Sequence, residues 1–105
     1  MTAPPSTTTT SGTTLLSNRL DKMLSERTYP KTLCPSEIAR SMTSSELHEL
    51  GASEWRDLMP QLRRMAFEAR DRGELEILQR GEVVAGDIGL EHVRGPIRLR
   101  KVVRS

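Results

Sequence analysis

Three segments of helical apolar spacing followed by two of alternating apolar residues predict an α+β fold, in the order of a winged helix-turn-helix. The observations behind it are an apolar arc from Trp55 to Ala69, a switch to two-residue periodicity after Gly73, and a second alternating segment over Pro96–Val103. Three helices and a β-hairpin wing are therefore expected over residues 15–105. Residues 1–14, MTAPPSTTTTSGTT, are low in complexity and nearly uncharged, with nothing to bury, and are expected to form a disordered Thr-rich tail.

The first helix is expected over Leu15–Arg27, where Leu16, Leu20, Met23, Leu24 and Arg27 share a face. Tyr29-Pro30 stops it, because the residue before a proline is pushed out of the α region. A second helix starts at Cys34-Pro35-Ser36-Glu37, with Pro35 at the first helical position and Glu37 at the positive end of the dipole. Ile38, Ala39 and Met42 give it an apolar face. Thr43-Ser44-Ser45-Glu46 has the form of a capping box, so Ser44–Leu50 is expected to make a short extra turn closed by Gly51.

The third helix is expected from an N-cap at Ser53 to Arg72. At about 100° per residue, Trp55, Leu58, Met59, Leu62, Met65, Ala66 and Ala69 fall within an arc of about 120°. The arc stays in phase across Pro60, which predicts one kinked helix rather than two. Leu75 and Ile77 then alternate with Glu74, Glu76 and Gln79 as a strand, Arg80-Gly81 turns the chain, and Glu82–Ala85 can pair back. Gly86–Gly95 is expected to be a loop. Ile97 and Leu99 alternate with Arg98 and Arg100 in the last strand.

Composition narrows the function classes. The chain has 105 residues, enough for one core, and 29% of them are charged, with a net charge of +2. Aromatic residues are limited to one Trp, one Tyr and one Phe, so the core must rest on Leu, Ile, Val, Met and Ala. Thirteen of the sixteen basic residues are Arg, the side chain suited to bidentate binding of carboxylate or phosphate, although GC-rich coding also produces such an excess. The single Cys34 excludes an internal disulfide and fits a reducing compartment. Residues 1–14 lack the basic and apolar regions of a signal peptide, and no apolar run approaches a membrane span. A cytoplasmic, soluble protein without a membrane association is expected.

Cys34-Pro35-Ser36-Glu37-Ile38-Ala39-Arg40, Trp55-Arg56-Asp57-Leu58-Met59-Pro60 with Arg63, and Gly95-Pro96-Ile97-Arg98-Leu99-Arg100 together resemble a small bacterial family known only as a domain of unknown function. The resemblance covers about residues 15 to 102 and implies a winged-helix-like fold. It implies no activity and brings no catalytic residues.

Arg56, Arg63 and Arg70, seven apart, form a stripe beside the apolar arc, and Arg56 and Arg63 have no acidic residue three or four positions away. Arg64 and Arg72 do, through Glu68. Arg98, Arg100 and Lys101, flanked by Arg94 and Arg104, make the last strand basic. A winged helix reads the major groove with its third helix and touches phosphate with its wing, so these six residues are the candidate nucleic-acid contacts, with duplex DNA or another nucleic acid the expected partner and a small anionic ligand a lesser option. The alternative is a protein-interaction or dimerisation module, its arginines paired with Glu37, Glu74 or Glu76 and its Phe67, outside the apolar arc, exposed at an interface. Geometry separates the two: the DNA reading requires the stripe and the wing arginines on one face, free of those glutamates. Trp55 is expected in the core, and Cys34 as a small buried residue rather than a nucleophile. With two scattered histidines, no zinc spacing, no phosphate loop and no catalytic triad or carboxylate pair, neither an enzyme nor a cofactor is expected.

Overall fold

A computed structural model describes residues 7–102 of the chain, and the side chains of 14–102. Residues 1–6, and Arg104 of the basic C-terminal run, lie outside the described residues. Helix α1 spans Thr7–Ser25, so it begins inside the segment expected as a tail and ends before Tyr29-Pro30. Its packed part lies where the apolar spacing put it, with Leu16, Leu20 and Leu24 buried. Upstream of Leu16 the helix continues because adding one residue to an existing helix costs far less than nucleating one.

Helix α2, Pro35–Arg40, is N-capped by Cys34, whose backbone N–H donates to Glu37 Oε2 at 2.9 Å. Helix α3, Ser44–Glu49, carries the expected capping box. Glu46 N–H donates to Thr43 Oγ1 at 3.1 Å, Thr43 N–H donates to Glu46 Oε1 at 2.9 Å, and Gly51 follows at φ 73°.

The third expected helix is not one continuous element. Trp55–Leu58 is a 3-10 turn, and helix α4 runs over Met59–Asp71 with Pro60 in its first turn. There the missing proline N–H costs nothing, because the first N–H groups of a helix have no internal partner. Pro60 thus starts a helix instead of kinking one. The N-cap of the 3-10 turn is Glu54, one residue after the expected Ser53, and the carboxylate of Asp57 reaches back to accept from the N–H groups of Ser53 (2.9 Å) and Glu54 (3.2 Å).

Three antiparallel strands complete the fold: β1 (Leu75–Gln79), β2 (Glu82–Val83) and β3 (Arg98–Lys101), in the order β2-β1-β3. Gln79 pairs with Glu82 across a two-residue turn in which Arg80 (φ 54°) and Gly81 (φ 82°) are both left-handed. Positive φ at both central positions is the type I′ geometry, whose twist matches that of the flanking strands. β1 and β3 pair with Ile77 opposite Leu99 and Glu76 opposite Arg100. Leu33, just before α2, bridges Leu99 on the free side of β3 through two backbone hydrogen bonds of 2.7 Å.

The core is Leu-rich. α1 contributes the three leucines above, α2 Ile38 and Ala39, α4 Leu62, Ala66, Phe67 and Ala69, the sheet Leu75, Ile77 and Leu99, and Ile97 joins them just ahead of β3. Phe67 corrects the helical-wheel expectation: it is buried, at 4% exposure, and offers no interface. Helix α4 is covered on two sides, by the core on one and on the other by the connection between β2 and β3, whose Val93 and Leu90 belong to the same apolar cluster. Trp55 is half-buried against the core rather than enclosed. No helix among the described residues is long and apolar enough to cross a membrane.

Candidate nucleic-acid interface

The six sequence candidates do not form one stripe. Arg56 sits in the 3-10 turn, where residues rotate by about 120° each rather than about 100°, so it falls out of phase with Arg63 and Arg70. Its guanidinium carbon lies 4.6 Å from the centre of the Trp55 ring, and Nη1 is 3.4 Å from Glu54 Oε1 in an exposed pair of little energetic weight. Arg40 of α2 reaches the same ring at 5.6 Å. Two exposed cations thus flank the half-buried indole.

Arg63 and Arg70 turn to the β2–β3 connection and bind its backbone. Arg63 Nη1 donates to Gly95 O and Nη2 to Val93 O, both at 2.9 Å. Arg70 Nη1 donates to Ile88 O (2.7 Å) and Ala85 O (3.3 Å), its outer edge pairs with Asp71, and its plane covers the Phe67 ring at 4.8 Å. Only 9% of the Arg70 side chain is exposed. These two arginines hold the connection against α4.

The strand candidates are mostly engaged as well. Arg100 donates to Glu76 Oε1 through Nε (2.9 Å) and Nη2 (2.6 Å), across the β1–β3 pair, and its guanidinium lies 5.1 Å from the Tyr29 ring centre. The hydrogen bond to Glu76 raises its pKa above the ordinary arginine value. Lys101 Nζ donates to Ser25 O at 3.0 Å, satisfying a carbonyl at the C-terminus of α1. Arg98 is less fully committed. Its Nε donates to Thr32 Oγ1 at 2.6 Å, and Nη2 stands 3.8 Å from Glu37 Oε2, while Arg27 pairs with the other oxygen of the same carboxylate, Oε1. Arg98 and Arg100 thus close on Glu37 and Glu76, the outcome that goes against the expected stripe of DNA contacts and favours structural ion pairs at these two positions.

Other arginines, not singled out as contacts, are left free. The side chains of Arg80, Arg94 and Arg64 are exposed and make no hydrogen bond, ion pair or ring contact among the described residues. For Arg64 this departs from its expected pairing with Glu68. Arg80 and Arg94 meet Arg98 around a cavity of about 470 Å³ at the end of the sheet, beside the type I′ turn. Thr32, Leu78 and Pro96 complete its wall, and no acidic residue lines it. The amide of Gln79 ties it together by donating to Arg94 O. Arg94 already stood out in the acid-free C-terminal run. Arg80 gave no signal beyond the glycine that follows it, since its position depends on the hairpin closing in this register.

Cys34 is half-buried, with Sγ 3.0 Å from Ser36 Oγ. His48 and His92 are exposed, and among the described residues no group of three or more His, Cys, Asp or Glu is placed to hold a metal ion.

No curated protein matches the chain. A family model described as Protein of unknown function (DUF3253) matches residues 13–102, nearly the whole of the α+β unit described above, and the chain belongs to that family.

Proposed function

We propose that this domain is a non-catalytic, winged-helix binding module for the phosphate backbone of nucleic acid. The winged-helix reading is supported by the order of elements, helix, β-bridge at Leu33, helices, then β1 and β3, with β3 lying between Leu33 and β1. The observation that carries the ligand is the cavity rimmed by Arg80, Arg94 and Arg98 without an acidic residue in its wall. Arg80 and Arg94 have no partner for their guanidinium groups and Arg98 is only partly engaged, so the site attracts an anion, and their planar donors suit phosphate oxygens. Arg40 and Arg56, stacked on Trp55, are a second cationic surface, on the helix side. Of the six residues chosen from sequence, Arg56 and Arg98 remain contacts in this proposal; Arg63, Arg70, Arg100 and Lys101 support the framework.

The test is a fluorescence-anisotropy titration of mixed-sequence duplex DNA at about 50 and 200 mM salt. About four phosphate contacts predict a log–log salt slope near −3.6 and a loss of affinity of roughly a hundredfold over that range. Arg56→Ala and Arg94→Ala should each flatten the slope by about 0.9. Absence of binding at the lower salt, or a slope that ignores these substitutions, would end the proposal.

A second reading has one observation of its own. Val83 and Ile88 are exposed at 50% and 38% beside the free edge of β2, which suits pairing with another chain. Sedimentation of the protein alone, compared with Val83→Lys, checks it: a dimer that the substitution dissolves would favour that reading.

A further inference from the structure

The cavity at the hairpin end has a composition more particular than a phosphate-backbone contact requires. We infer that it is a pocket for one nucleoside monophosphate group, a phosphomonoester dianion joined to a flat apolar body. This rests on the reading of the wing as an anion-binding surface and names what that surface holds.

Charge comes first. Three arginines line the rim, of which Arg98 is engaged by Thr32 and shares Glu37 with Arg27, while Arg80 and Arg94 have no acidic partner among the described residues. Their two charges match a phosphomonoester, which carries about −1.5 to −2 at pH 7, better than a phosphodiester at about −1. Donors are also in place. Thr32 Oγ1 accepts from Arg98 Nε, so its own hydrogen is free to donate to a phosphate oxygen. Arg80 and Arg94 have all their donors available.

The second part is the wall. Between the arginines it is formed by Leu78 and Pro96, with glycines at 81 and 95 that place no side chain over the opening. A phosphate alone leaves this apolar surface wet, whereas a base laid on the exposed Pro96 and the small exposed edge of Leu78 covers it, and an arginine plane can stack face-on against a base. The volume, about 470 Å³, falls in the range of small-ligand sites.

The third part is Arg80 itself. It is the single non-glycine residue at positive φ among the described residues, at φ 54°, in a turn position that asparagine or glycine fills with less strain. Its long cationic side chain has no structural partner, so strain is accepted there without any return inside the fold.

The experiment is an amide ¹⁵N–¹H NMR titration of the full chain with AMP, adenosine and inorganic phosphate. AMP is expected to shift the amides of Gly81, Gly95 and Thr32 with a dissociation constant on the order of 100 μM, and each fragment to bind roughly tenfold more weakly or worse. Arg94→Ala and Arg80→Asn should each weaken AMP by roughly tenfold, and Arg64→Ala should leave it unchanged. The substituted side chains have no partner in the fold, and circular dichroism checks that the variants are folded. Displacement of AMP by an oligonucleotide with a 5′-phosphate, but not by its 5′-hydroxyl twin, identifies a strand end as the source; AMP that neither oligonucleotide displaces identifies the free nucleotide. Either supports the pocket. AMP that binds no better than phosphate, or shifts amides elsewhere, overturns it. If duplex DNA still binds in that case, the pocket falls and the proposed function stands; failure of both titrations removes both.

Discussion

Replacing Arg63 by alanine separates a structural arginine from a ligand-binding one. The side chain gives two hydrogen bonds of 2.9 Å, to the carbonyls of Val93 and Gly95. Bonds from a charged donor are worth about 1.5–3 kcal/mol each when fully buried, but Gly95 is exposed and its carbonyl rehydrates once released, so about 2 kcal/mol is expected for the pair. In a domain of this size about 2 kcal/mol lowers the Tm by roughly 8–16 °C. Thermal and urea unfolding followed by circular dichroism measure the loss, and hydrogen exchange should show it concentrated in the amides of residues 85–97. Arg63→Lys should recover less than half, because one ammonium cannot present two parallel donors to two carbonyls. In the duplex titration, Arg63→Ala should lower affinity through the loosened connection yet leave the salt slope of the parent. A stability within about 0.5 kcal/mol of the parent, with unchanged exchange, would refute the reasoning, since that is what an idle surface arginine gives.

Phe67→Ala removes a ring buried between α4 and the connection and should cost about 3–5 kcal/mol in urea unfolding followed by circular dichroism. Arg80→Asn relieves a left-handed arginine ahead of Gly81 and should raise stability by about 0.5–1 kcal/mol in urea unfolding, even as it weakens the anion site. The hydrogen bond from the Thr43 N–H, reinforced by Arg19, holds the Glu46 carboxyl below its ordinary pKa of 4.5. A depressed carboxyl stabilises the fold above its unfolded pKa and loses that contribution as pH falls through the folded value. The Tm should therefore drop below about pH 4.5 by more in the parent than in Glu46→Gln, which keeps the capping geometry without the charge.

Local chemistry was legible in the sequence and long-range chemistry was not. Thr43, Glu46 and Gly51 announced α3 because a capping box and a left-handed glycine act within a few residues. The Arg80-Gly81 turn and the alternation of Leu75 and Ile77 were equally readable. Pro60 misled because an apolar arc in phase on both sides of a proline fits a kinked helix as well as a 3-10 turn leading into a new one. Phe67 misled because a helical wheel describes one covered face, and the second cover arrives from residues more than twenty positions downstream. Arg63 and Arg70 looked unneutralised because charge counting searches for carboxylates nearby, whereas their partners are mostly carbonyls of the β2–β3 connection. The family resemblance stands on motifs that map to the α2 start, the 3-10 turn and β3, and it could say nothing of Arg80, which lies outside them.

The grip of Arg63 and Arg70 on carbonyls has a consequence for how this protein can change. Every residue type supplies a carbonyl, so the four held positions, Ala85, Ile88, Val93 and Gly95, are fastened by what they share with any other amino acid. Between those points Gly86, Asp87, Glu91, His92 and Arg94 can be exchanged without moving the path of the chain, so long as the apolar anchors Leu90 and Val93 stay. Framework and recognition are thus written in different parts of the same eleven residues, 85–95. A library randomised at those outward positions should yield mostly folded members with divergent ligands, which makes this connection a natural place to install new specificities.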